Sequence, residues 1–170
     1  KSYAQLAANF TMSKDKGCAP LYVTFTNTST GNQDSCFWDL DINGNTADEC
    51  NPSAIFNQPG TYNIKLTIYK GSQSSSITKT ITVFKDPVSK FDALPRTGCV
   101  PFNVQFADQS AIGDAPITNW LWDMGDGRTE VGQNPLHTYT FSGNLTMSLI
   151  VTDGNGCKNT LTVPNYITKA

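Results

Sequence analysis

The chain has 170 residues and a mass of 18.5 kDa, room for one domain or two small ones, since single cores usually take up roughly 100–150 residues. Charged residues make up 15%, against about 25% in average globular proteins, while Thr, Ser, Asn and Gly abound and aromatics reach 11%, the profile of a secreted all-β protein. The net charge of −2 excludes nucleic acid, whose phosphates call for clustered Lys and Arg, and no apolar run approaches the roughly 18 residues of a membrane-spanning helix, so membrane insertion is not expected. No signal pattern opens the sequence, so an exported protein is expected here as its mature chain or an excised segment.

From the N-terminus, residues 1–7 read as an extension whose Leu6 and alanines either pair with a neighbour or fray. Leu21–Thr26 then alternates apolar and polar residues, which places Val23 and Phe25 on one face of a half-buried strand. Tyr62–Ile68 and Ile77–Val83 repeat that pattern, as do Phe102–Phe106 and Leu145–Val151 further along. Turn signals separate these segments at Gly17, Asn43-Gly44, Pro59-Gly60, Lys70-Gly71, Asp126-Gly127, Ser142-Gly143 and Gly154-Asn155-Gly156. No stretch carries a helical period. The spacing of short strands matches a small immunoglobulin-like sandwich whose outer faces, rich in Thr, Ser and Lys, protect its edges.

The two halves are copies of one another. Phe10 aligns with Phe91 at an offset of 91 − 10 = 81, and Gly17-Cys18 with Gly98-Cys99, Pro20 with Pro101, Val23 with Val104, Phe25 with Phe106 and Ser29 with Ser110 keep that offset. After small insertions Trp38-Asp39 falls on Trp122-Asp123, Asn51-Pro52 on Asn134-Pro135, Gly60 on Gly143 and Leu66 on Leu149. A repeat of about 80 residues divides the chain into domains at 1–86 and 87–170. The joint lies in Lys85-Asp86-Pro87-Val88-Ser89, where Pro87 has no N–H to continue a ladder; it is short and stiff, so the copies are expected end to end.

The string Trp122-Asp123-Met124-Gly125-Asp126-Gly127, followed by Asn134-Pro135-Leu136-His137-Thr138-Tyr139 and by Gly143 before an alternating strand, resembles a PKD domain. The family signature in words is WDFGDG, NPxHTY and G-x-Y; copy two has Met124 for Phe and Leu145 for the last Tyr. Copy one departs further. Its Trp38-Asp39-Leu40-Asp41-Ile42-Asn43-Gly44 is similar to a longer WDxDxDG variant, and Asn51-Pro52-Ser53-Ala54-Ile55-Phe56 lacks the His and Tyr, while Gly60-Thr61-Tyr62 restores the third motif. The resemblance implies two tandem immunoglobulin-like β-sandwiches, each with strands A, B and E in one sheet and C, C′, F and G in the other, and a usually non-catalytic module of secreted and cell-surface proteins.

The motif residues make sense as architecture. Trp38 and Trp122 are placed mid-strand to fill the space between sheets, Asp126-Gly127 suits a tight hairpin needing positive φ, and Asp123 can hydrogen-bond nearby backbone. His137 is the only histidine and lies inside a structural motif beside Tyr139, which reads as a packed or capping residue. With no histidine in copy one and the paired acids on a hairpin rather than around a cleft, no catalytic residue is expected. A calcium reading rests on Asp39, Asp41, Asn43 and Asn45 at alternate positions, which resemble the first half of a calcium loop; the closing position holds Cys50 in place of an acid. No other cofactor is expected.

Five cysteines in such a chain point to disulfides. Cys36 and Cys50 stand where copy two has Trp120 and Gln133, bracket the C to C′ hairpin, and are expected to pair. For the remaining three, the sandwich puts Cys99 at the start of strand B and Cys157 in the FG turn, about a strand length apart, roughly 20 Å. Disulfide Cα atoms lie within about 7 Å. An end-to-end tandem brings Cys18 towards Cys157 instead, so the leading expectation is a Cys18–Cys157 bond across the joint; Cys99–Cys157 is the alternative.

The chain is thus expected to be a non-catalytic extracellular or cell-surface module, a rigid spacer or adhesion unit that contacts neighbouring modules, surface partners or further copies of itself. The alternative is an accessory module of a secreted enzyme in which Tyr22, Phe37, Trp120 or Tyr139 stacks on a polysaccharide or protein polymer. Non-reducing proteolysis with mass spectrometry is expected to recover Cys36–Cys50 and Cys18–Cys157 crosslinked peptides; a Cys99–Cys157 crosslink rejects the second assignment.

Overall fold

The computed structural model describes residues 5–169, so residues 1–4 of the expected N-terminal extension lie outside it. The chain divides into a unit at Lys1–Lys85 and another at Asp86–Ala170. Among the described residues there is no helix, and none is therefore long and apolar enough to cross a membrane. Each unit is a two-sheet sandwich built from eight strands.

In the first unit the strands are β1 (Phe10–Met12), β2 (Lys16–Cys18), β3 (Leu21–Asn27), β4 (Ser35–Asp39), β5 (Thr46–Ala47), β6 (Ser53–Phe56), β7 (Gly60–Lys70) and β8 (Gln73–Phe84). They form a three-stranded sheet in the order β1-β3-β6 and a five-stranded sheet in the order β2-β8-β7-β4-β5. The second unit repeats the plan with β9 (Phe91–Leu94), β10 (Thr97–Gly98), β11 (Phe102–Asp108), β12 (Ile117–Asp123), β13 (Thr129–Val131), β14 (Leu136–Tyr139), β15 (Gly143–Asp153) and β16 (Lys158–Lys169). Its sheets run β14-β11-β9 and β10-β16-β15-β12-β13.

The first strand of each unit does more than its sequence suggests. β1 pairs antiparallel with β3, and after a short break β2 pairs parallel with β8 in the opposite sheet, so one strand serves both layers; β9 and β10 do the same against β11 and β16. Ahead of β1, Ala7 bridges Thr30, and Leu6 packs against the core.

The alternation seen in the sequence becomes burial. Along β3, Leu21, Val23 and Phe25 face inward while Tyr22, Thr24 and Thr26 face out. Because a strand's side chains alternate faces, one residue of slip would turn the whole apolar set outward, and register is strongly specified. Each core centres on a fully buried tryptophan. Trp38 meets Phe10 edge-on at 4.9 Å and Phe25 at 5.4 Å, and Trp122 meets Phe91 and Phe106, each at 5.5 Å.

Cys36 and Cys50 are joined in a disulfide with Cα atoms 5.2 Å apart. Cys99 is the free cysteine among the described residues, and it is exposed. The alternative Cys99–Cys157 bond is therefore not formed, and the sheet shows why. Gly98, next to Cys99, pairs with Lys169 at the last residue of β16, whereas Cys157 precedes the first residue, Lys158. Those ends are 169 − 158 = 11 residues apart, roughly 35 Å along a strand, far beyond disulfide reach.

Candidate functional site

The motif-bearing hairpin of the second unit joins β12 to β13. Asp123 ends β12, and its Oδ1 accepts from Gly125 N at 2.9 Å, while Asp126 Oδ1 accepts from Arg128 N at 3.1 Å, so both carboxylates shape the turn. Gly125 and Gly127 take φ of 72° and 86°, which side chains with a Cβ rarely adopt. Gly125 is bound to glycine twice over: a Cβ there would lie 2.4 Å from the Thr146 carbonyl oxygen.

Behind the turn lies a three-residue polar network. His137 on β14 is 3% exposed and sits between two acids: Nε2 is 2.9 Å from Asp126 Oδ2 and Nδ1 is 3.0 Å from Glu130 Oε1. Carboxylates only accept, so the doubly protonated ring is the form that satisfies both contacts by donating from each nitrogen. Asp126 is itself only 10% exposed, whereas Glu130 reaches solvent at 38%. The His137 ring packs edge-on against Tyr139 at 4.6 Å. Tyr139 is fully buried, and its hydroxyl donates to the Met124 carbonyl at 3.1 Å. Burial first, then the charges of Asp126 and Asp123, hold that hydroxyl's pKa well above the ordinary tyrosine range.

The first unit answers the same positions differently. Asn43 stands where Asp126 does, Ala47 lies opposite Trp38 as Glu130 lies opposite Trp122, and Ala54 and Phe56 take the places of His137 and Tyr139. All three members of the polar network are absent together, and the two alanines pack against the core. The β4–β5 hairpin is also one residue longer, closing with Leu40 N donating to Asn45 O where Met124 N donates to Arg128 O. Of the candidate calcium ligands, Asp39 Oδ1 accepts from Asp41 N at 3.0 Å, Asp41 Oδ2 accepts from Asn63 N at 2.8 Å, and Asp41 and Asn43 adopt φ of 55° and 49°. These groups shape the turn.

A second clasp lies at the opposite end of β4 and β12. In the second unit Asp108 Oδ2 accepts from Trp120 Nε1 at 2.8 Å and from Gln133 Nε2 at 3.2 Å. In the first unit Trp120 and Gln133 become Cys36 and Cys50, and the hydrogen-bonded clasp becomes the disulfide. Asn27, at the place of Asp108, directs its Nδ2 to Cys36 Sγ at 3.3 Å.

Sequence reasoning did not single out Glu130 or Asp108; their signal was their place on the strand next to the motif. It also passed over the reason for Asn-Pro. Asn51 and Asn134 accept from the backbone N–H of Asn27 and Asp108, and the Pro52 and Pro135 carbonyls accept from Phe25 and Phe106, which anchors each loop to its central strand. Of the aromatics considered for stacking on a ligand, Tyr22 and Phe37 are exposed, Trp120 is partly buried with its N–H on Asp108, and Tyr139 is buried in the core and closed to any ligand.

A family model described as PKD domain matches residues 5–84 and again 85–168. Collagenase ColQ1 of Bacillus cereus is 43% identical over 63 residues, 36% of this chain and 6% of the collagenase. The pre-pro-metalloprotease PrtV of Vibrio cholerae is 34% identical over 74 residues, 44% of this chain and 8% of the protease. The chain thus spans under a tenth of the length of either relative. Among solved structures, the PKD1 domain of the Vibrio cholerae metalloprotease PrtV is 28% identical, covers 49% of this chain and 98% of its own, and superposes with a TM-score of 0.42. The N-terminal eight immunoglobulin domains of Down Syndrome Cell Adhesion Molecule share the fold at a TM-score of 0.63 and 16% identity, over 98% of this chain and 24% of theirs. The chain belongs to the PKD domain family and carries two copies in tandem.

Replacing His137 by Ala leaves the nearly buried Asp126 without its partner and is expected to cost about 2–3 kcal/mol in urea unfolding of the full chain. Installing the first unit's set, Asp126→Asn with Glu130→Ala and His137→Ala, is expected to recover at least half of that loss; a triple variant less stable than His137→Ala shows that the three do not act as a unit. The raised Tyr139 pKa has its own consequence. The folded state keeps a proton that the unfolded chain releases near pH 10, so this contribution to stability is complete below about pH 10 and is lost as pH rises beyond it. Unfolding midpoints measured from pH 8 to 11 are expected to fall less steeply for Tyr139→Phe. The part of the slope due to Tyr166, raised by burial and by its hydrogen bond to Asp92, is expected to remain.

Proposed function

We propose that the chain is a non-catalytic structural module of an extracellular protein, two stiff sandwiches that space or assemble the parts around them. One observation carries this reading: the side chains that define the family motif are spent inside the fold. Trp122, His137 and Tyr139 are buried, and the acids around them serve turns or the histidine. A reactive centre needs the same groups facing a space where a substrate fits.

Two further observations support an oxidising, extracellular setting. The first unit is closed by a disulfide, which persists in such compartments, and the related proteins include collagenases, whose named substrate is an extracellular polymer. In those relatives comparable segments make up less than a tenth of the chain, the proportion of an accessory part. Stiffness follows from the short Pro87-containing joint and from the Cys18–Cys157 bond across it, which belongs to this proposal. Small-angle X-ray scattering of the full oxidised chain is expected to give a single narrow distribution of dimensions, and Cys18→Ser with Cys157→Ser a broader one. An oxidised chain as broad as the variant would overturn the spacer role.

A further inference from the structure

The longer β4–β5 hairpin of the first sandwich leaves a hollow between itself and the β6–β7 connection. Asp41, Ile42 and Asn43 of the hairpin line it together with Ile55 at the end of β6, Asn57 and Gln58 of the connection, and Tyr62 of β7. Its volume is about 330 Å³, at the small end of the range of roughly 300–1,000 Å³ for ligand pockets.

The lining is chemically specific. Asn43, Asn57 and Gln58 present three carboxamides, each offering an acceptor and two donors, and none is bonded to another described side chain. Asp41 uses Oδ2 on Asn63 N and keeps Oδ1 as an acceptor. Tyr62 is a fixed platform: its ring packs on Phe56 at 4.7 Å and its hydroxyl donates to the Gln58 carbonyl at 2.7 Å. Ile55, 52% exposed, adds an apolar surface to the lining and lies directly across from Tyr22, 53% exposed. No Lys or Arg contributes.

We infer that this hollow binds a neutral saccharide. A pyranose ring has an apolar C–H face that packs on a tyrosine ring or an isoleucine, and a rim of hydroxyls that both donate and accept. Carboxamides match that rim atom for atom, and a lone carboxylate adds an acceptor. Anionic ligands are disfavoured by Asp41 and by the lack of a lining cation. The second sandwich supplies an internal control. It has Gly125, Thr138, Thr140, Phe141 and Leu145 where the first has Asp41, Ile55, Asn57, Gln58 and Tyr62, so the carboxamides at 57 and 58 and the ring at 62 have no counterparts.

The test is an amide NMR titration of the full chain with cellohexaose, chitohexaose, xylohexaose and laminarihexaose, and in parallel with gelatin. At least one hexasaccharide is expected to move the amides of residues 41–43, 55–58 and 62. Asn57→Ala with Gln58→Ala, both exposed positions, is expected to weaken that binding tenfold or more at an unchanged melting temperature. The inference is overturned if no hexasaccharide shifts these amides, if the shifts map elsewhere or survive the double variant, or if gelatin alone produces them. Each of those results leaves the spacer reading intact, because the scattering measurement does not depend on this pocket.

Discussion

Two sheets of three and five strands enclose little volume, and what fills the gap at the middle strand decides whether they stay together. In both sandwiches it is a tryptophan with no exposed surface, flanked by a phenylalanine from each of the two neighbouring strands of the smaller sheet. A ring of that size removes some 150–250 Å² from water. At about 25 cal/mol per Å² that is on the order of 4–6 kcal/mol, a large share of the roughly 5–15 kcal/mol that separates a folded domain from its unfolded chain. The same ring sets register: β4 can pair with β7, and β12 with β15, only where the indole points inward.

With that frame held in common, the two copies show independent chemical solutions at identical places. The clasp between strand ends is a disulfide in one and an Asp108–Trp120–Gln133 set of hydrogen bonds in the other. Beneath the hairpin, one copy packs Ala47 and Ala54 while the other holds an imidazole between two carboxylates. The members of each network were exchanged together, as physics requires. An Asp126 left buried without His137 costs more than replacing the whole set by apolar groups of fitting shape.

The frame was legible in the sequence because its signals are local or periodic. Alternation in Leu21–Thr26 gave the inward face, glycines marked the turns, and the repeat revealed two units without reference to either core. What stayed hidden depends on neighbours far along the chain. Glu130 is an ordinary strand glutamate until β13 lies beside β14, and Asp108 acquires its role only when Trp120 crosses above it. The switch of the first strand between sheets was likewise invisible, since β2 and β10 are three and two residues long and carry no periodicity. The candidate calcium ligands illustrate the converse. Alternating Asp and Asn suggested a shared ligand, and the same residues, having short side chains that hydrogen-bond local backbone and tolerate positive φ, also suit a turn.

The comparison of the copies also indicates where to look for whatever distinguishes this chain from other sandwiches of the same plan. The inward positions around the tryptophan are boxed in by both sheets and recur: Phe10 and Phe91, Val23 and Val104, Phe25 and Phe106, Trp38 and Trp122. Outward positions are released from that constraint, and there the copies part, with Tyr22 facing Ile55 in one and Asn103 facing Thr138 in the other. Divergence of exposed residues is unremarkable when it scatters. Part of it meets at one place in the first sandwich, where a lengthened hairpin, the exposed Ile55 and unpaired carboxamides line the same hollow. An extra hairpin residue that only relieved strain would have no need of amides around it. One that opened a space for hydroxyl-bearing rings would need just such groups.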